Sequence, residues 1–427
     1  MSDRKEMRSM NYPVLYDPNV HNRDRFNLPL VLLVVFVAAV FTYIAFCIKD
    51  GLYSDEGFHA PQVWVYYSGG TKFAESITVP PTYHYIMGFI VRQIGYYDDK
   101  LLKLISLLIS LLTIPAFYKI ISKYHPQEAG IRTLQLFFLP LMFIYYFLIY
   151  TDIWALLLIT LNLYFAVCRR YALSALIGLA AICLRQDSIV WISLSFLLIC
   201  FERNNQNDTL RIVDVIKNGI IKGWLYIAVF IAFVAFVIYN GGVAIGDKDQ
   251  HKSGSLNLGN LYIFLILAWF LFLPLNIKLL PDILKLLRSR WSGFVLVGFF
   301  LLYMGSFTNS HGYNNTLFDY FLHNGMANYL TNNILVKSLS CILALWMILT
   351  LVVMKLPDQR FKWALLIIPL SVISHPMIEP RYYFPAYFVI HLIRPALPAG
   401  VETGTLVCYI LVAAYILYGT VSGHFFL

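Results

Sequence analysis

The chain has 427 residues, of which 59% are hydrophobic and only 13% are charged, and its mean hydropathy is +0.68. A soluble globular protein carries about 25% charged residues, so this composition excludes a soluble enzyme and predicts an all-α polytopic membrane protein. The net charge of +9 is explained by basic residues at the ends of apolar segments. We therefore expect membrane lipids, and no nucleic acid, among its partners.

Apolar runs recur along almost the whole sequence. Because a crossing needs about 20 mostly apolar residues, the runs predict about 13 membrane-spanning helices, several of them short enough to need polar residues at their ends. The predicted spans are residues 28–48, 101–120, 133–149, 153–167, 171–184, 188–201, 224–239, 258–275, 294–304, 334–354, 363–373, 382–393 and 405–419. Residues 133–167 and 171–201 could each form one long tilted helix instead of two, although Arg169 and Arg170 favour a cytosolic turn between these two regions.

The two ends of the predicted helices differ in charge. Most of the 32 Lys and Arg residues fall on the side of the amino terminus, which the positive-inside rule places in the cytosol. This orientation makes residues 1–27 a cytosolic tail, and residues 49–100 and 308–333 lumenal loops, of a single domain covering residues 1–427. Polar residues collect on the lumenal side, which predicts a cavity that opens there.

The long first lumenal loop carries the most informative residues. Asp55 and Glu56 are adjacent acids just beyond the first apolar segment, and His59 follows them. Carboxylates at the rim of a bilayer can ionise and act on a substrate held at the interface. The aromatic run after them, and the apolar stretch 80–94 that begins with two prolines, predict juxtamembrane helices within this loop.

Several familiar catalytic signatures are absent from the sequence, including a phosphate-binding glycine loop, a zinc-protease helix motif and a G-x-S-x-G elbow. Asp247 and Asp249 resemble the acidic metal-binding pair of nucleotide-sugar transferases, but such short patterns arise easily by chance, and we expect no metal and no cofactor. What remains is a carboxylate at the membrane surface with basic residues nearby. This combination suits transfer of a group from a lipid phosphate, because a carboxylate can deprotonate the acceptor while cations stabilise the departing phosphate.

Five segments, in order along most of the chain, resemble the terminal α-1,2-glucosyltransferase family of the dolichol-linked oligosaccharide pathway, within the GT-C class of glycosyltransferases. They are residues 55–62, 77–80, 184–191, 240–248 with His251, and 379–387, which read DEGFHAPQ, ITVP, LRQDSIVW, NGGVAIGDK and EPRYYFPAY.

The resemblance implies a GT-C fold and a specific reaction. Glucose would pass from dolichyl-phosphate glucose to the terminal glucose of the diglucosylated dolichol-linked oligosaccharide, in α-1,2 linkage. The reaction would be inverting and metal-independent, and it would take place at a lumenal active site in the endoplasmic reticulum membrane.

The resemblance also suggests roles for individual residues. In related GT-C enzymes the first-loop aspartate is the general base, which favours Asp55, with Glu56 orienting it or binding acceptor hydroxyls. Asp152 is a candidate second acid at a predicted helix end. Cationic side chains suit a lipid phosphate, and the candidates are Arg185, Lys248, His251 and Arg381. The remaining candidates for substrate binding are Asp247, His59 and His311.

Two alternatives remain open. The loop from Asn314 to Tyr320, after His311, lacks the arginine of the family pattern, so the first alternative is a transferase of another sugar or acceptor. The second is a non-enzymatic transporter or channel-regulating protein, although a transporter should carry an inverted repeat or acids at mid-membrane. Two glycosylation sequons, at Asn207 and Asn314, fall on the predicted cytosolic and lumenal sides, so only Asn314 would be accessible.

Overall fold

A computed structural model describes residues 26–48, 51–203, 211–250, 256–315 and 320–427. Throughout this part of the chain the regular structure is helical, and the strand-like pairing consists of an isolated bridge between Phe321 and Phe426. His251, Asn207 and residues 1–25 of the predicted tail lie outside the described residues.

The helices of the amino-terminal half follow the predicted spans closely. They are α1 (Leu28–Ile48), α2 (Glu56–Tyr67), α3 (Thr82–Ile94), α4 (Asp99–Ser110), α5 (Thr113–Tyr124), α6 (Ala129–Phe137), α7 (Pro140–Phe143), α8 (Asp152–Val167), α9 (Tyr171–Leu184), α10 (Ile189–Cys200), α11 (Ile212–Ile221) and α12 (Trp224–Asn240). Short 3-10 helices occupy Ile144–Phe147 and Gln186–Ser188. The helices α1 and α9 have the predicted bounds, and both predicted juxtamembrane segments of the first loop are helical, as α2 and α3.

The carboxyl-terminal half continues in the same way. Its helices are α13 (Leu258–Leu271), α14 (Leu273–Leu286), α15 (Ser292–Ser306), α16 (Gly312–Asn315), α17 (Leu322–Asn332), α18 (Ile334–Val353), α19 (Ala364–Ile373), α20 (Phe384–Ile393) and α21 (Ala399–Ser422), with 3-10 helices at Gln359–Trp363 and Pro380–Tyr383.

Two predicted spans bend sharply. The segment 133–149 bends by 62° between α6 and α7, and the segment 258–275 bends by 98° between α13 and α14. Each bend lies just before a proline, Pro140 or Pro274. Proline lacks the N–H that would continue the helix and disfavours helical geometry in the residue before it, so the helix restarts in a new direction.

Within the described ranges, four helical segments are long and apolar enough to cross a membrane, and up to seven are if each bent pair counts as one span. The four are Leu28–Ile48, Asp99–Tyr124, Ile334–Val353 and Ala399–Ser422. Only 28% of the α1 window is buried inside the protein, which leaves an apolar face of the kind that lipid covers. These features fit a polytopic membrane protein, and the count of about 13 crossings stays a prediction.

Polar groups form layers at the two ends of α1. Near its start, where Phe26 contacts Gly130, buried Arg394 pairs with Glu402 at 2.7 Å, and Arg132 donates to the Arg394 carbonyl oxygen at 3.0 Å. At about 1.5 Å per residue, α1 carries the chain roughly 30 Å away from this layer. The first loop therefore begins at the opposite end of the bundle.

The sequon at Asn314 is not accessible in the folded chain. The Asn314 side chain is buried, and its Nδ2 donates to Asn324 Oδ1 at 2.7 Å and to the Ile378 carbonyl oxygen at 2.9 Å. Its Oδ1 accepts a hydrogen bond from the Ile378 N–H at 2.8 Å. A glycan on Nδ2 would break these contacts, so the prediction that this site is accessible is wrong.

Candidate active site

Asp55 lies at the start of α2 and is held from two sides. Its backbone N–H donates to Tyr150 Oη at 3.0 Å, and its carboxylate accepts a hydrogen bond from Arg381 Nη1 at 2.6 Å. Ser54, just before it, has φ of 50°, in the left-handed region that residues other than glycine rarely adopt. The Asp55 side chain is still 33% exposed, so the carboxylate is both anchored and accessible to a substrate.

Arg381 is buried between acids and aromatic rings. Its Nε pairs with Glu379, and its Nη1 pairs with Asp55. The guanidinium lies 5.4 Å from the centre of the Tyr150 ring and 5.8 Å from that of Tyr382. A buried guanidinium that cannot lose its proton needs such partners, and they also fix its position beside Asp55.

Asp55, Arg381 and Glu379 form the first half of a cluster of charged side chains. Arg185 and its acidic partners form the second half. Its Nη1 donates to Asp152 Oδ1 at 2.7 Å, and its Nη2 and Nε donate to the two carboxylate oxygens of Asp187 at 2.9 and 3.2 Å. His375 Nε2 lies 3.7 Å from Asp187, and its ring stacks on Tyr382 with a centroid distance of 3.9 Å. Tyr382 also faces Arg381. The stacked rings of His375 and Tyr382 therefore connect the Arg185 half of the cluster with the Arg381 half.

The cluster contains more acids than permanent cations. Asp55, Asp152, Asp187 and Glu379 face Arg185 and Arg381. Burial disfavours the charged form of Asp187, but the Arg185 guanidinium outweighs it and lowers the pKa of Asp187. Burial, opposed by Arg381 and reinforced by Asp55, raises the pKa of Glu379 to about 7. Glu379 therefore exchanges a proton near neutral pH.

A cavity opens beside the two guanidinium groups. Its lining includes the charged side chains Asp152, Arg185, Asp187 and Arg381 and the ring of His375. The larger apolar side chains along it are Leu156, Ile159, Trp191, Phe384 and Pro385. A ligand with a phosphate and a hydrocarbon chain fits this division, because guanidinium groups bind phosphate and the apolar walls can contact the chain.

Backbone contacts bring other motif segments to the same end of the bundle. The Thr78 carbonyl oxygen accepts hydrogen bonds from Gln186 Nε2 at 2.7 Å and from the Ile245 N–H at 3.1 Å. A Cβ atom at Gly246 would lie 2.3 Å from the Glu75 carbonyl oxygen. Only glycine permits this approach, so the 240–248 segment is closely fitted to the first loop.

Glu56 points away from the cluster, in contrast to the second of its two predicted roles, the binding of acceptor hydroxyls, while the first role, orienting Asp55, stays a prediction. Its carboxylate is fully buried and lies 3.2 Å from Lys103 Nζ. It also accepts hydrogen bonds from the backbone N–H groups of Tyr53 at 2.8 Å and Ile149 at 2.7 Å. Without exposed surface it cannot reach an acceptor hydroxyl, so its placement in the substrate cleft is corrected: Glu56 anchors the backbone around Asp55.

Three further candidates lie in the 240–250 loop or against it, and none of the three lines the cavity. Lys248 donates to the Asn240 carbonyl oxygen, and His311 Nε2 lies 3.2 Å from the Gln250 carbonyl oxygen. Asp247 has φ of 43°, and its backbone N–H bonds to the first loop. These residues shape the loop beside the cluster, and a role in substrate binding stays a prediction for each.

His59 lies one turn into α2 and packs against Tyr150, with ring centroids 5.7 Å apart. Its Nδ1 is 2.8 Å from His84 Nε2. Burial lowers the pKa of His59 to about 4 and that of His84 well below its usual value. Both rings are therefore neutral at physiological pH. His59 packs against Tyr150 of the cluster and adds no positive charge that could bind phosphate.

Sequence reasoning missed Glu379 and His375 as members of the cluster and Lys103 as the partner of Glu56. A usable signal exists for Glu379, because an acid stands two residues from each arginine, Asp187 after Arg185 and Glu379 before Arg381. Lys103 is a single lysine in an apolar helix and carries no such signal. Among the described residues, no group of three or more His, Cys, Asp or Glu side chains is arranged to hold a metal ion.

Comparison with known proteins identifies relatives. A protein of Debaryomyces hansenii named Dol-P-Glc:Glc(2)Man(9)GlcNAc(2)-PP-Dol alpha-1,2-glucosyltransferase is 32% identical over 266 residues, which are 55% of this chain and 55% of that protein. The protein of the same name in Candida albicans is 28% identical, over 56% of this chain and 60% of its own length. That of Rattus norvegicus is 22% identical, over 84% of this chain and 87% of its own length.

The aligned part of the chain spans little more than half the length of the two yeast relatives. No solved structure matches the chain. The model of the DIE2/ALG10 family matches residues 49–392, which include every residue of the cluster around Asp55 and Arg185. The chain therefore belongs to the DIE2/ALG10 family.

Proposed function

We propose that this protein transfers glucose from dolichyl-phosphate glucose to the terminal glucose of the diglucosylated dolichol-linked oligosaccharide, forming an α-1,2 linkage. The names of its yeast and rat relatives support this reaction. The observation that carries the proposal is the contact of Asp55, at 2.6 Å, with Arg381, which together with Arg185 lines an amphipathic cavity. A base and two guanidinium groups are what transfer from a lipid phosphate requires.

In this reaction Asp55 accepts the proton of the acceptor 2-hydroxyl while the hydroxyl oxygen attacks the anomeric carbon of the donor. The bond between that carbon and the phosphate oxygen breaks, and its electron pair leaves with the lipid phosphate. Arg185 and Arg381 stabilise the charge that develops on the phosphate. Because this is a single displacement, a β-linked donor yields an α-linked product. The two guanidinium groups supply the positive charge, so the scheme is metal-independent.

Arg381 brings the base and the departing phosphate together. Its guanidinium contacts Asp55 and lines the cavity, so a phosphate bound there lies next to the carboxylate. Asp152 and Asp187 meanwhile hold Arg185 in place.

The proposed setting is the endoplasmic reticulum membrane, with the amino terminus in the cytosol and the cluster facing the lumen. The excess of basic residues on the amino-terminal side supports this orientation. The proposed architecture is a GT-C fold of about 13 spans, in which the first lumenal loop, residues 49–100, carries α2 and α3 as juxtamembrane helices.

The test is an assay of the purified protein with a diglucosylated dolichol-linked acceptor and either dolichyl-phosphate glucose or dolichyl-phosphate mannose. We expect the glycan mass to increase by one hexose with the glucose donor alone, with or without a divalent-metal chelator. Transfer from the mannose donor would overturn the sugar assignment, and no transfer from either donor would overturn the proposal. Loss of turnover in chelator, restored by manganese or magnesium, would instead make Asp247 and Asp249 candidate ligands.

A further inference from the structure

The segment 423–427 turns back after α21 and packs beside the first loop. Gly423, with φ of 76°, ends the helix in the left-handed conformation that glycine favours. Two adjacent phenylalanines then face different surroundings. Phe425 packs on its own helix, against Gly419 and Tyr415, whose ring centroid is 5.5 Å away. Phe426 is directed into the protein and is only 2% exposed.

Phe426 is surrounded by four aromatic rings from three separate parts of the chain. Its ring centroid lies 6.5 Å from Tyr53, 6.4 Å from Tyr145, 6.4 Å from Tyr320 and 5.8 Å from Phe321. Distances of this size are those of interacting aromatic pairs. Phe426 therefore fills the space where the first loop, the 3-10 helix Ile144–Phe147 and the loop before α17 meet.

Backbone hydrogen bonds hold this segment in place. The Phe426 carbonyl oxygen accepts from the Leu322 N–H at 2.7 Å, and the Phe426 N–H donates to the Tyr320 carbonyl oxygen at 3.2 Å. The His323 ring hydrogen-bonds the backbone of Leu427, which is also 2% exposed. The position of Phe426 is therefore defined by its backbone as well as by its ring.

Two routes connect Phe426 to Asp55. The first is direct, because Tyr53 stacks on Phe426 and lies two residues before Asp55. The second passes through Tyr145, which contacts the Tyr150 ring edge-on at 5.4 Å, and Tyr150 Oη accepts the hydrogen bond of the Asp55 N–H. Tyr53 and Tyr145, the two residues through which Phe426 is connected to the Asp55 backbone, thus both contact the same buried ring.

We propose that Phe426 is a positioning residue for Asp55, which it supports through its contacts with Tyr53 and Tyr145. Replacing its ring with a methyl group leaves a cavity into which Tyr53 and Tyr145 can move. A displacement of about 1 Å in a reacting group can slow a reaction about a hundredfold. Arg185 keeps its own carboxylate partners, so contacts with the donor persist. The kinetic consequence rests on the proposed function, whereas the packing does not.

The experiment compares Phe426→Ala with the matched control Phe425→Ala. In the transferase assay, Phe426→Ala should lower kcat at least tenfold and leave the donor KM within twofold, while Phe425→Ala stays within twofold in both. Phe426→Leu, which keeps most of the apolar volume, should recover at least half of the wild-type kcat. Equal losses in the two alanine variants, or a higher donor KM with unchanged kcat, would overturn the proposal.

Hydrogen exchange provides a readout that is independent of turnover. The Asp55 N–H should exchange faster in Phe426→Ala, and not in Phe425→Ala, because its bond to Tyr150 loosens. Unchanged exchange would overturn the positioning role even if the wild-type protein transferred no glucose. Should Phe426→Ala fail to fold, Phe426→Val, which removes the ring but retains a branched side chain, is judged by the same kcat and exchange measurements.

Discussion

At the scale of single residues, Asp55 and Glu56 face different directions, because consecutive residues at the start of a helix point about 100° apart. Asp55 lies on the accessible side and contacts Arg381. Glu56 lies on the buried side against Lys103. Two acids that would repel each other in one cleft are thus each neutralised by a different cation, and only Asp55 can meet a substrate.

Asp55→Asn should lower kcat about a hundredfold or more, the usual consequence of losing a general base. Folding should be unaffected, because asparagine keeps the side-chain shape and the bond to Tyr150 comes from the backbone. Glu56→Gln should behave differently, with a lower melting temperature but retained kcat per folded molecule. Measurements of kcat and melting temperature for both variants test this, and near-normal turnover of Asp55→Asn would refute the assignment of the base.

Donor binding should depend on pH through Glu379, whose pKa is about 7. An anionic donor favours the neutral acid, so binding takes up a proton whenever Glu379 is ionised. The donor KM should therefore be flat below pH 7 and increase above it. In Glu379→Gln, which resembles the protonated form, the increase should disappear. Donor KM values measured from about pH 6 to 8.5 check this, and an equal slope in both proteins would contradict it.

At the scale of elements, the first loop is a compact unit joined to α4 beneath Asp55. The helices α2 and α3 pack so closely that a Cβ atom at Gly88 would lie 2.8 Å from Tyr66 Cβ. Lys103 of α4 donates to the Gly51 carbonyl oxygen at 3.0 Å and lies 4.7 Å from the centre of the Tyr53 ring. The buried pair of Lys103 and Glu56 therefore determines where the loop leaves the bundle.

A double-mutant cycle should show this coupling. Glu56→Gln and Lys103→Met should each lower the free energy of unfolding by about 3 kcal/mol, because each leaves a buried group without its partner. The double variant should lose less than the sum, with an interaction energy of about 1–3 kcal/mol. The exposed pair Arg211 and Asp214 is the matched control, and the losses from its two single changes should simply add. If the losses in unfolding free energy at Glu56 and Lys103 were additive, the two residues would not be coupled, and their pair could not anchor the loop.

At the scale of the whole molecule, the two polar layers have different compositions. The layer around Asp55 joins acids, arginines and aromatic rings beside a cavity, whereas the layer around Arg394 and Glu402 is a tightly packed ion pair. Of these two layers, the segment 423–427 packs beside the first. The charge asymmetry of the chain predicts that this first layer faces the lumen.

Single sequons should report this orientation. Gly69→Asn creates an Asn-Gly-Thr sequon at exposed positions 69–71, and asparagine tolerates the φ of +85° found there. We expect glycosylation of this variant, seen as a mass shift that endoglycosidase removes, while Asn207 and buried Asn314 stay unmodified. Modification at Asn207 instead would place the cluster on the cytosolic side and exclude the proposed lumenal reaction.

The sequence alone determined the all-helical class of the chain, the bounds of α1 and α9, and the family that the chain resembles. The bounds of α1 and α9 follow from apolar run lengths and neighbouring polar residues, which are local properties. The family resemblance depended on short segments that can be read without knowing their partners. Asp55 and Arg381 could be selected in this way, because acids and arginines are scarce in so apolar a chain.

Only the tertiary structure decided which selected residues meet. Asp55 and Arg381 are 326 positions apart in the chain, and no local pattern encodes that contact. Glu56 is adjacent to Asp55 in sequence, yet it contacts Lys103 of α4 and the backbone N–H of Ile149 in the loop before α8. The physical reason is that a buried charge takes its role from the partners that neutralise it, and helix packing, not sequence position, brings those partners together.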